Sequence, residues 1–119
     1  MNILIVDDSM LANHALKSYF AKLGHNVVGV ARNGEEGKEM FTQMDPDLVT
    51  VDAVMPGDVS GEDFVKYVNS IDNQSDKITK ILFISSDEVP SSVKEEIRVN
   101  DYIIKPVTMA HIENAIAKL

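Results

Sequence analysis

Asp47-Leu48-Val49-Thr50-Val51-Asp52 decides how this chain reads. Four apolar or β-branched residues stand between two acids, with Asp45-Pro46 ahead of them and Ala53-Val54-Met55-Pro56-Gly57 behind. The run is too short for a helix and is bounded by turn residues, the pattern of a buried strand. An acid delivered by a buried strand into a Met-Pro-Gly loop needs partners, and the other strands are where they can come from.

Four further runs match it. Ile3-Leu4-Ile5-Val6 ends in Asp7-Asp8, and Asn26–Val30 forms a second strand. Ile81-Leu82-Phe83-Ile84 ends in Ser85-Ser86, and Tyr102-Ile103-Ile104 ends in Lys105-Pro106. Helical spacing fills the intervals. Ser9 caps a helix that turns Ala12, Leu16, Tyr19, Phe20 and Leu23 inward, leaves His14, Lys17, Ser18 and Lys22 outside, and stops at Gly24. Asn33 caps a second, with Glu35 and Glu36 in its first turn and Met40, Phe41 and Met44 inward. Ser60 to Asp63 has the spacing of a capping box ahead of Phe64, Val65, Val68 and Ile71. Pro90 opens a short fourth helix with Val93 and Ile97 inward. A fifth helix aligns Met109, Ile112, Ile116 and Leu119.

Strands that are apolar throughout, each followed by a helix, imply a parallel sheet covered on both faces. Right-handed crossovers then place all strand C-termini on one edge. Five units are too few for an eight-stranded barrel, so the expected fold is an open α/β sheet. A length of 119 residues, 45% hydrophobic and 25% charged, suits one domain over 1–119. The absence of cysteine excludes disulfides and thiolate metal sites. No apolar run reaches membrane-spanning length, and Met1-Asn2-Ile3 does not start a signal peptide, so no membrane insertion and a cytoplasmic setting are expected. A net charge of −8 argues against direct nucleic-acid binding, which needs cations to neutralise phosphates.

The topology turns strand ends into neighbours: Asp7 and Asp8, Asp52, Ser85 and Lys105 meet on the edge where open α/β sheets bind ligands. Any one of them alone is an ordinary turn or surface residue. Together they compensate one another. Three close carboxylates repel and raise their own pKa values, and a hard divalent cation with all-oxygen ligation relieves that. A carboxylate beside such a cation can attack phosphorus and become an acyl phosphate, while a lysine and a hydroxyl serve the phosphoryl oxygens.

Asp-Asp after strand one, Asp-x-x-Met-Pro after strand three, Ser after strand four and Lys-Pro after strand five resemble the receiver domain of bacterial two-component response regulators. The likeness covers the whole chain and is strongest to the single-domain chemotaxis type. The resemblance implies a flavodoxin-like, doubly wound (βα)5 fold with strand order 2-1-3-4-5. It implies that Asp52 accepts a phosphoryl group from a histidine-kinase phosphohistidine. Mg²⁺ (or Mn²⁺) would be held by Asp8, Asp52 and the Val54 main-chain carbonyl, with Asp7 acting through water. Lys105 would hold the phosphate, with a cis peptide to Pro106; Ser85 would be the switch hydroxyl and Tyr102 the switch aromatic. The output face would be residues from about 90 to 119. The implied partners are a sensor histidine kinase or phosphotransfer protein and a downstream output protein or domain, and the implied chemistry is limited to the domain's own phosphotransfer and slow dephosphorylation.

Four positions depart from the family pattern. Gly61 follows Asp52 one residue later than usual, so Gly57 to Gly61 is longer by one. Ser86 replaces a smaller residue, Val99-Asn100 a small-residue turn, and Val107 an aromatic. Three other readings compete. A haloacid-dehalogenase-type Mg²⁺ phosphohydrolase needs an acid two residues past the nucleophile, where Val54 stands. A flavodoxin-like cofactor binder needs a phosphate cradle after strand one, where Asp7-Asp8 would repel phosphate. A non-phosphorylated docking module needs none of the acids, Ser85 or Lys105.

Overall fold

Strands and helices alternate strictly along the chain: β1 (Asn2–Val6), α1 (Met10–Lys22), β2 (Asn26–Ala31), α2 (Gly34–Met44), β3 (Leu48–Asp52), α3 (Gly61–Asp72), β4 (Lys80–Ser85), α4 (Ser91–Lys94), β5 (Asp101–Ile104) and α5 (Met109–Ala117). The computed structural model describes residues 1–119. All pairings are parallel, and the single five-stranded sheet has the order β2-β1-β3-β4-β5, the expected doubly wound arrangement.

The period-two alternation of the strands divides the core in two. Leu4, Val6, Val49, Val51, Ile81 and Phe83 face Phe41 of α2 and Phe64, Val65 and Val68 of α3. Ile3, Ile5, Leu48, Leu82, Ile84 and Ile103 face Leu16 and Phe20 of α1 and Ile112 and Ala115 of α5. Continuing that parity past the strand ends sets the site. Asp7, Asp52 and Lys105 continue the series that faces α1 and α5; Ser85 and Tyr102 belong to the series that faces α2, α3 and α4.

The caps form as their residues dictate. The Ser9, Asn33 and Ser60 side chains accept from backbone N–H groups of the first helical turns, and Asp63 closes the capping box by accepting from Ser60 N–H. Thr108 and His111 make a second reciprocal pair at the start of α5, which the sequence pattern did not single out because histidine is rarely the reaching partner. Gly24 takes φ +82° just past α1, the left-handed turn a glycine accepts without strain.

Three expectations on helix faces need correction. α4 is a single turn, Ser91–Lys94, so Ile97 is buried from the irregular segment behind it rather than from a helix. Met44 and Ile71 are 37% and 38% exposed rather than inward; they lie in the last turns of α2 and α3. Asn13, not counted among the inward residues, is buried in line with Leu16 and Phe20.

Candidate functional site

Asp7, Asp8 and Asp52 converge at the C-terminal edge of the sheet, with one carboxylate oxygen of each within 4.8 Å of the others. The strands account for this. β1 and β3 are direct neighbours, with Val6 beside Val51, so Asp7 and Asp52 emerge side by side. Asp7 and Asp52 are buried and Asp8 is exposed. Ser9 N–H donates to Asp7 Oδ1 at 2.9 Å, and the Asn13 amide donates to the Asp7 carbonyl at 2.9 Å, fixing the turn that presents the acids. Burial pushes the Asp7 carboxyl above its ordinary value; the Asp52 and Asp8 charges add to the rise, while the Ser9 N–H and Lys105 oppose it.

Lys105 Nζ donates to Asp52 Oδ2 at 3.1 Å, and Val54 N–H donates to the other oxygen, Oδ1, at 3.3 Å. Lys105 is held in line because its N–H donates to the Ser85 carbonyl at 2.8 Å, extending the β4–β5 ladder by one step; its peptide to Pro106 is cis. Ser85 stands one residue beyond Ile84, the ladder partner of Asp52. Its hydroxyl donates to the Asp87 carbonyl, within the β4–α4 loop.

The β3–α3 loop reaches across to α2 ahead of Gly61. Gly57 turns outward with φ +94°, Asp58 N–H donates to Glu35 Oε1 at 3.2 Å, and Val59 lies on Gly34 at the start of α2. Gly61 remains against the end of β3, where a Cβ would clash with the Asp52 carbonyl oxygen and stand 2.8 Å from Ala53 Cα. The loop therefore leans on α2 while the backbone beside Asp52 stays close-packed.

Tyr102 is half-buried. Its ring meets Phe83 edge-on at 5.8 Å, Lys94 Nζ lies 4.9 Å from its centroid, and burial raises its phenol above the ordinary value. Ser85, Phe83 and Tyr102 thus share one face of adjoining strands. Val54 is 80% exposed and apolar, so no acid occupies the place a phosphohydrolase of the dehalogenase type needs. Asn13 is the supporting residue that a motif search misses; its signal was its place at helical spacing with Leu16 and Phe20.

Three carboxylates form an all-oxygen donor set, which fits a hard divalent cation such as Mg²⁺ and does not fit a thiolate- or imidazole-seeking metal.

Comparison with known proteins assigns the class. A family model described as response regulator receiver domain matches residues 3–117. The chain belongs to that family, the receiver domains of two-component signalling systems. It is 34% identical over 119 residues to the chemotaxis protein CheY of Thermotoga maritima, covering 98% of this chain and 95% of the relative. It is 34% identical over 118 residues to CheY of Bacillus subtilis, covering 98% and 94%. A solved CheX–CheY–BeF₃–Mg²⁺ complex from Borrelia burgdorferi superposes with a TM-score of 0.86 at 26% identity, covering 98% of this chain and 86% of that one. The phosphohydrolase, cofactor-binder and docking-module readings are not favoured. No helix is long and apolar enough to cross a membrane.

Proposed function

We propose that residues 1–119 act as one cytoplasmic receiver module in which Asp52 accepts a phosphoryl group from the phosphohistidine of a sensor kinase or phosphotransfer protein. The observation that carries this reading is the Lys105 ammonium 3.1 Å from Asp52 Oδ2 within a cluster of three carboxylates. An Asp52 carboxylate oxygen attacks phosphorus, the phosphohistidine N–P bond breaks, and the imidazole nitrogen keeps the electron pair and takes up a proton. Lys105 already pairs with the acceptor carboxylate, so its charge accompanies the phosphoryl oxygens through the transfer. Asp8, Asp52 and the Val54 carbonyl, with Asp7 through water, would hold Mg²⁺ or Mn²⁺, which neutralises charge on the phosphoryl group.

Once Asp52 carries the anion, the Ser85 hydroxyl turns from the Asp87 carbonyl towards it. Tyr102 lies on the same sheet face, and its two orientations report the change to the output surface, residues from about 90 to 119, by shifting a pre-existing equilibrium. The only chemistry is the transfer and a slow hydrolysis of the acyl phosphate, and the product is a conformation read by a downstream protein or domain. The relation to CheY proteins makes chemotaxis the setting in which the partners are to be sought.

The test is transfer of labelled phosphate from a histidine-phosphorylated kinase domain. The expected result is a hydroxylamine-labile label on the wild type, none on Asp52→Asn, and strongly reduced transfer to Lys105→Met. Label retained on Asp52→Asn would overturn the assignment.

A further inference from the structure

The segment after α4 is not free to follow the helix. Glu96 Oε2 pairs with Lys66 Nζ of α3 at 3.0 Å. Asn69 of α3 grips the backbone of Arg98 twice, accepting from its N–H at 2.8 Å and donating to its carbonyl at 3.1 Å. The Arg98 guanidinium reaches the buried Asp72 carboxylate at 2.8 Å, and Asp72 also accepts from the Thr79 N–H and hydroxyl, each at 2.9 Å. Asn100 then exchanges 2.8 Å hydrogen bonds with Ile81, its side-chain oxygen accepting and its N–H donating. Residues 96–100 are stitched to α3 and β4 along their length.

Ser86 to Lys94 has no comparable anchoring. Beyond the Ser85 hydroxyl on the Asp87 carbonyl, it makes no hydrogen bond or ion pair to another element; its other ties are the Val89 and Val93 side chains packed on the core, and one contact at the far end. That contact is Lys94, the last residue of the single-turn α4, whose ammonium lies 4.9 Å from the Tyr102 ring centroid. Phe83 meets the same ring edge-on at 5.8 Å. Lys94 is exposed and makes no ion pair, so the ring is its only close partner of this kind among the contacts of its side chain.

We infer that Lys94 is a positioning residue for Tyr102, latching the ring in its unphosphorylated orientation, and that the switch moves residues 86–94 while residues 96–100 stay fixed to α3. The inference deepens the phosphorylation reading and rests on it for its second half; the latch itself exists without phosphate. The sequence of events follows from the contacts. The Ser85 hydroxyl leaves the Asp87 carbonyl, the loop that carries α4 shifts, Lys94 is withdrawn from the ring, and Tyr102 is released. The stitched segment supplies a rigid edge against which that short movement is read. An exposed cation–π contact corresponds to about a two- to five-fold change in the ratio of two ring orientations.

The experiment uses the full chain with ¹³C-labelled tyrosine, Tyr102 being assigned through Tyr102→Phe. Without any phosphodonor, Lys94→Met is expected to move the Tyr102 ring resonances towards their position in the BeF₃⁻- and Mg²⁺-treated wild type, by about that two- to five-fold change in population, while Lys94→Arg stays with the wild type. Identical Tyr102 resonances in wild type and Lys94→Met, or an equal displacement in Lys94→Arg, would overturn the latch. Backbone amide shifts on BeF₃⁻ addition test the second half: changes are expected across 86–94 and absent across 96–100. A response spread equally over 96–100 overturns the confinement alone, whereas no response anywhere overturns the assignment of Asp52 and with it the switch, the Lys94 contact then being judged only by whether Tyr102 differs between wild type, Lys94→Met and Lys94→Arg.

Discussion

Asp7 is 2% exposed and shares its surroundings with two other carboxylates, so its charge opposes folding when no cation is present. Its raised pKa, due first to burial, gives the sign. The cost is absent below the ordinary value of 3.8, grows as pH rises through the interval up to the raised folded value, and is complete above it. Asp7→Asn is therefore expected to raise the melting temperature in chelator at neutral pH and to lose most of the further rise that Mg²⁺ gives the wild type; a lower melting temperature in chelator would contradict this. Gly61 is constrained by space instead. A methyl group there clashes with the Asp52 carbonyl oxygen, and backbone cannot yield as a flexible side chain does. Gly61→Ala should cost about 1–3 kcal/mol in urea denaturation, in the range of overpacked sites. The acids, Ser85 and Lys105 were legible in the sequence because each ends an apolar strand. Asn13 was not, since a polar residue within a helix reads as surface until its amide is seen on the Asp7 carbonyl.

Among the elements, β1, β3 and β4 and the helices α1, α2 and α3 were legible because burial, periodicity and capping agree in them. Ser9, Asn33 and Ser60 mark helix starts by their chemistry, and Ile3–Val6 or Ile81–Ile84 admit no other burial. α4 was legible only as a helix start. Val93 and Ile97 have helical spacing, yet the chain leaves the helix after Lys94 because long-range bonds from Asn69, Asp72 and Lys66 hold residues 96–98 elsewhere. Local pattern carries no trace of partners some thirty residues away. Those bonds have a measurable weight. Arg98→Met removes the cation from the buried Asp72 carboxylate and should lower stability by about 2 kcal/mol, the scale of a hydrogen bond to a charged group. An unchanged denaturation midpoint would show that Thr79 alone satisfies Asp72.

At the scale of the molecule, charge and fold work against each other at one end of the sheet. The chain carries a net charge of −8, and three of its acids stand within a few ångströms at the strand C-termini. Cation binding to the folded state alone should stabilise it by mass action, about 2.7 kcal/mol at a hundred times the dissociation constant, and Asp8→Asn should abolish most of that gain in thermal melts. On further acidification two other carboxylates act with the opposite sign. A backbone N–H from Asn2 holds Asp47 below its ordinary 3.8, and one from Ser60 holds Asp63 below the same value. Their contribution is complete above 3.8 and is lost as pH falls through their lower folded values, below the interval in which Asp7 is relieved, so the Asp7 effect and this loss fall in successive pH windows. An open parallel sheet could be anticipated because apolar strands alternating with helices leave few topologies, and its order came from the likeness to receiver domains; the path of the 57–61 loop could not be anticipated, since it depends on Glu35 and Gly34 of another helix. Intact mass after treatment with a small-molecule phosphodonor and Mg²⁺ decides whether this edge phosphorylates Asp52. The wild type should gain one phosphoryl group, and Asp52→Asn should gain none. No gain in the wild type, or an equal gain in Asp52→Asn, would rule out Asp52 as the phosphoacceptor.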